Sequence, residues 1–241
     1  MEALVGDVTQ PVRSTGVLLA TLQQSRGYDA LMRLPMLVYG MLIGWTSIIG
    51  LAKYMASIDP TLPSAIYRLN IAMRVSNIAF FVLLAIMAIM RGRAKGKARG
   101  VEPRVSALVG TFLVYAVALL PRRELSVGGE IAATALILLG TTLAAYVLTQ
   151  LGRSFSVMAE ARRLVTTGVY RFVRHPLYVA EEIAAIGFVI QFLSYWTLLL
   201  LVAHVGFQLR RMLNEEAILV RTFPDYAAYK EKTARLIPGV Y

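Results

Sequence analysis

Residues 174–216 read RHPLYVAEEIAAIGFVIQFLSYWTLLLLVAHVGFQLRRMLNEE, and the fold turns on how this stretch meets a bilayer. Its charged ends enclose an apolar block from about 178 to 213. A helix needs only ~20 residues to cross ~30 Å of hydrocarbon, so the block is too long for one ordinary span. Gln191 to Tyr195 interrupts it, and Ser194-Tyr195-Trp196 adds polar and interface-seeking groups. The block therefore reads as a helical hairpin over 178–193 and 196–213, with a single bent helix as the alternative. A hairpin returns to the side it left. The Arg174-His175-Pro176 entrance and the Glu215-Glu216 exit should thus be neighbours in space.

Four more apolar stretches precede the hairpin, at about 34–56, 71–90, 105–120 and 127–151. Six membrane helices result. Apolar residues make up 57% of the chain and charged ones 16%, against ~25% charged in an ordinary soluble domain; the mean hydropathy is +0.62. The fold class is all-α and polytopic, divided into a segment 1–33, four helices within 34–151, and a region 152–241 with the hairpin and a cofactor-binding tail. Thr15–Leu22 and Tyr28–Leu34 suggest an interfacial helix. Glu2 and Asp7 stand where a signal peptide would place lysines, so none is expected to be cleaved.

The net charge of +11 does not point to nucleic acid. All lysines and arginines except Lys53, Arg68, Arg74, Arg122 and Arg123 fall in the N-terminal segment, the loops 91–104 and 152–177, and the C-terminal region from Arg210. That asymmetry puts both termini and both basic loops in the cytoplasm. Lys53 and Arg74 lie near helix ends and can snorkel. The loop RGRAKGKARG reads as a flexible topology determinant. With no cysteine and only His175 and His204, disulfides and Cys- or His-rich metal sites are excluded. His204, alone in an apolar helix, reads as a packed or hydrogen-bonded residue.

Polar chemistry concentrates in 150–238. Proline disfavours helix at the residue before it and suits a first helical turn, so a span should begin near Pro176. Helical spacing then puts His175, Tyr178 and Glu182 on one face, with Glu181 partly sharing it. Arg211 and Glu215 stand at i, i+4 on the returning arm. Carboxylates within a span are costly, so this convergence suggests function as well as ion pairing.

LVTTGVYRFVRHPLY at 164–178, Glu215-Glu216, FPDYAAYK and Leu236-Ile237-Pro238 resemble the isoprenylcysteine carboxyl methyltransferases and membrane phospholipid methyltransferases. The resemblance covers about 150–238. It implies S-adenosylmethionine as cofactor, no metal, and a lipophilic small-molecule or lipid acceptor entering from the membrane. Carried over, Leu164, Val165, Gly168, Val169 and Tyr170 wall the adenosine. His175, Pro176 and Tyr178 belong near the methionine part and ribose, and Glu215 and Glu216 accept hydrogen bonds. Arg174 and Glu182 are the catalytic candidates. A prenylated carboxylate would need positive potential from Arg174; a phospholipid amine would need a proton removed by Glu181 or Glu182.

The pattern departs from the family at Val169, where proline is common, and at Ala180, where glycine is. Arg-His-Pro-x-Tyr also resembles the NADPH-dependent membrane sterol reductases, whose asparagine is replaced here by Leu177. A non-enzymatic membrane scaffold is the third alternative. The Ala/Leu/Arg-rich composition suggests a bacterial inner membrane.

Overall fold

The computed structural model describes Gly27 and residues 33–57 and 63–239, and over these the chain is a helical membrane protein. The elements are α1 (Leu34–Ala56), α2 (Ser64–Met90), β1 (Gly96–Lys97), α3 (Glu102–Phe112), α4 (Val127–Leu151), β2 (Glu160–Ala161), α5 (Pro176–Gln191), α6 (Tyr195–Thr222) and α7 (Tyr226–Lys232). A 3₁₀ run, Leu113–Leu119, prolongs α3. The interfacial helix expected around Thr15–Leu22 and Tyr28–Leu34 falls almost wholly outside the described residues.

Four helical stretches are long and apolar enough to cross a membrane: Leu34–Ala56, Ser64–Met90, Glu102–Leu119 and Val127–Ser154. Large apolar side chains such as Val38, Met41 and Trp45 face outward from α1, as a lipid-facing surface requires. The second stretch begins earlier than its apolar run, directly after Pro63.

The final block breaks into two helices. Ser194 caps α6: its Oγ accepts from Thr197 N at 3.2 Å, while Ser194 N donates to Thr197 Oγ1 at 2.8 Å. This reciprocal box satisfies two otherwise orphaned donors. At the other end α5 starts on Pro176, with His175 as the non-helical residue before it. The returning arm runs well past the expected end at 213, through Thr222. Residues 210–222 are mostly good helix formers, and the first proline is Pro224. The sixteen residues of α5 reach only about 24 Å.

Small residues set the tightest contact. A Cβ on Gly140 of α4 would lie 2.7 Å from Ala180 O and Ala184 Cβ; one on Gly187 of α5 would lie 2.6 Å from Ala133 O. The backbones of α4 and α5 touch because these positions carry no side chain, the usual route to close packing in lipid.

The loop 91–104 differs from the flexible segment its composition suggests. Gly96–Lys97 pairs antiparallel with Glu160–Ala161. Lys95 N donates to Ala161 O at 2.7 Å, Ala98 N to Ala159 O at 3.0 Å, and Gly92 N to Arg153 O at 2.8 Å. Gly96 is also pressed against Thr222 of α6. Two-residue pairing between positions as distant as Gly96 and Ala161 leaves no periodic signal, while the glycines that suggest flexibility are what let the backbones approach.

Candidate active site

The two ends of the final block meet. His175 Nε2 lies 3.1 Å from Glu216 Oε1, which also accepts from Arg174 Nε at 2.9 Å and Arg235 Nε at 3.1 Å. Arg235 Nη2 donates to Oε2 at 3.1 Å, and the exposed Lys230 stands 3.9 Å away. Glu216 is 4% exposed. Burial alone would raise its carboxyl pKa, but the bonds from His175, Arg235 and Arg174 outweigh that and hold it well below the usual carboxylate range. Glu216 is the hub that ties α5, α6 and the tail together.

The tail is fastened through its backbone as well. Arg174 N donates to Ala234 O at 2.8 Å and His175 N to Arg235 O at 3.1 Å. The Arg174 guanidinium reaches the Lys230 carbonyl at 2.8 Å and also bonds Thr233 O. Tyr229 on α7 donates to Tyr170 O at 2.6 Å. Burial pushes the Tyr229 phenol up to about 12, so it stays a donor.

Beside this hub lies a second set. Tyr178 donates to Glu215 Oε1 at 2.5 Å. Arg211 Nε stands 3.3 Å from the same oxygen without hydrogen-bond alignment, Nη1 donates to Thr111 Oγ1 at 3.0 Å, and the guanidinium lies 5.0 Å from the Tyr178 ring centroid.

These groups border a cleft of about 800 Å³, open mouth included. Of the residues singled out from sequence, Leu164, Val165, Tyr170, Arg174, His175, Tyr178 and Glu215 line it. Gly168, Val169, Pro176 and Glu216 do not line it. Gly168 adopts φ 62°, where a side chain would be strained, and packs on Gln150. Glu182 faces elsewhere: its Oε1 is 3.2 Å from Nε2 of the buried His204, at an angle too poor for a hydrogen bond.

Sequence reasoning missed Arg162, Arg163 and Ser154 as lining residues, and it noted Arg211, Tyr226 and Tyr229 without giving them a place in the site. The Tyr226/Tyr229 pair had a signal, an i, i+3 aromatic repeat in the tail. Ser154 had none. Ser154 Oγ and the Tyr226 hydroxyl are buried here without a partner. Phe155 and Arg211 also line a second, mostly apolar chamber of about 1130 Å³, its open mouth included, between α1–α6.

Residues 129–226 match the phospholipid methyltransferase family. The chain is also 38% identical over 109 residues to the protein-S-isoprenylcysteine O-methyltransferase of Schizosaccharomyces pombe (strain 972 / ATCC 24843). That match covers 42% of this chain and 45% of the relative, so less than half of the relative's length is spanned. The likeness to the phospholipid methyltransferase family is carried by residues 129–226, which bring α4, the hairpin and the cleft-lining turns together.

Proposed function

We propose that the protein is an S-adenosylmethionine-dependent methyltransferase whose acceptor is a lipophilic molecule entering from the bilayer. The observation that carries this reading is the junction at Phe155 and Arg211 of two spaces: a cleft whose wall mixes charged, hydroxyl and apolar side chains, toward the basic loops, and a more apolar chamber among the helices. A water-soluble nucleoside and a membrane molecule could meet there without either leaving its own medium.

The cleft suits the cofactor's groups. Its wall offers arginines for a carboxylate, the Glu215 carboxylate for an ammonium or diol, and apolar Leu164 and Val165 for a flat base. The unpartnered Ser154 and Tyr226 hydroxyls offer further bonds. When bound, the cofactor supplies a methyl group activated by its sulfonium charge. Tyr178 and Arg211 hold Glu215 in one orientation, and Glu216 holds Arg174 and His175, so the wall is preorganised. In this reading the hairpin completes a six-helix bundle, the termini and basic loops lie in the cytoplasm, and the membrane is a bacterial inner membrane.

Isothermal titration of detergent-purified protein tests this. S-adenosylhomocysteine should bind and NADPH should not. Binding of NADPH alone would replace the methyltransferase by a reductase, and binding of neither would remove the enzyme. Incubation with a lipid extract and labelled methyl donor should then label a lipid-soluble product.

A further inference from the structure

The hairpin carries polar side chains beyond the cleft, in register. On α5, Glu181 follows Tyr178 by three residues; on α6, Gln208 precedes Arg211 by three. The pair Tyr178–Glu215 at the cleft is therefore followed, one turn deeper, by Gln208 Nε2 donating to Glu181 Oε2 at 3.0 Å. Below that comes His204 beside Glu182. Glu181, Gln208 and His204 all line the second chamber, whose other walls include Phe80, Phe81, Leu84 and Ile137.

This polar strip is short of partners. Gln208 is 2% exposed, and its Oε1 accepts no hydrogen bond. His204, also 2% exposed, has no hydrogen-bond partner at either ring nitrogen. Glu181 receives the Gln208 amide and has further lone pairs. Gln208 Oε1 and the remaining Glu181 lone pairs are open acceptors, beside which Arg211 Nε and the Tyr39 hydroxyl stand as unpartnered donors, so a ligand seated on Glu181 and Gln208 donates to them.

Cations are scarce on the same wall. Among the described residues Arg211 is the only lysine or arginine lining the chamber, and Glu215, Thr111 and the Tyr178 ring already engage it. A carboxylate or phosphate placed here would face Glu181 in a poorly solvated space. An ammonium would complete it.

We infer that the chamber binds a long-chain amine lacking a phosphate, its nitrogen held by Glu181 and Gln208, and that this amine is the methyl acceptor. The inference rests on the methyltransferase reading and deepens it. The amine enters as an ammonium and gives one proton to the Glu181 carboxylate. Its freed lone pair then forms the new N–C bond, while the C–S bond of the methyl donor breaks and leaves its electrons on sulfur. The product is an N-methyl ammonium, and the proton on Glu181 is the one released.

The first test needs no turnover. A long-chain amine bearing a diazirine in its tail is photo-crosslinked to cofactor-free protein in nanodiscs. Crosslinks should fall on chamber residues such as Phe81 and Ile137. Hexadecylamine should compete and hexadecanoate should not. Glu181→Gln should weaken labelling roughly tenfold or more, as loss of one member of a poorly solvated charge pair does. Competition by hexadecanoate or phosphatidylethanolamine in preference to the amine, or undiminished labelling of the variant, overturns the inference.

The second test gives purified protein labelled S-adenosylmethionine and hexadecylamine. It should yield a base-stable label that falls in Glu181→Gln, while S-adenosylhomocysteine affinity, the measure of an intact fold, is unchanged. If S-adenosylhomocysteine binds and the amine stays unlabelled, this inference alone is overturned. If S-adenosylhomocysteine does not bind, the methyltransferase reading falls with it.

Discussion

Replacing Glu216 by glutamine keeps the side-chain shape and removes the charge at the centre of the hub. Its two oxygens accept from Arg174 at 2.9 Å and from Arg235 at 3.1 Å through each of two nitrogens, with His175 at 3.1 Å. The Arg174, His175 and Arg235 side chains are 8%, 5% and 15% exposed, so water cannot replace the lost anion. Removing one partner of a buried charge cluster costs about 3–5 kcal/mol. Lys230, 46% exposed, adds only ~0–1 kcal/mol to that figure. A total of about 3–5 kcal/mol is a large share of the ~5–15 kcal/mol that holds a typical fold. Equilibrium unfolding in mixed micelles measures the loss, and titration with S-adenosylhomocysteine measures the cleft wall that Arg174 and His175 help form. A loss below about 1 kcal/mol, within the range of an exposed pair, together with unchanged affinity, would refute the hub as the element that builds the site.

The same cluster sets a pH dependence. Because the folded Glu216 carboxyl is depressed, its stabilisation is present above the unfolded value near ~4.3 and is lost as the pH falls through and below it; acid titration of the unfolding midpoint should show a steeper loss in wild type than in Glu216→Gln. Gly140→Ala and Gly187→Ala each place a Cβ under 3.0 Å from the facing backbone, so each should destabilise α4–α5 packing by about 1–3 kcal/mol, read by the same unfolding assay. Tyr178→Phe removes the donor to Glu215; a hydrogen bond to a charged group is worth about 1.5–3 kcal/mol, and the loss should appear in stability and as weaker S-adenosylhomocysteine binding. Ser194→Ala dismantles the capping box of α6 and should cost about 0.5–2 kcal/mol with no change in cofactor affinity.

How much was legible before folding differs by residue. Helix class was legible because apolar run length is a local property and because prolines and Ser194 punctuate the runs where the helices begin. The meeting of His175 with Glu216 was legible too, since any hairpin returns its ends to one side. The roles of the two adjacent glutamates were not. Glu215 faces the cleft and Glu216 faces the tail, and a 100° step around a helix separates the two without leaving any trace in composition. Glu181 and Glu182 divide in the same way, one toward Gln208 and the chamber, the other toward His204.

By itself the sequence determined a helical membrane chain with most of its basic residues gathered in the segments between and after its apolar runs and its polar chemistry in the last third. Hydropathy, charge asymmetry and proline placement each act within a few residues of where they are read. Only the tertiary structure decided that the basic loop 91–104 is pinned by strand pairing, that Arg235 closes the Glu216 hub, and that Arg211 stands between two spaces. Those outcomes depend on contacts between residues far apart in the chain, where helix phase and backbone approach, rather than residue type, choose the partner.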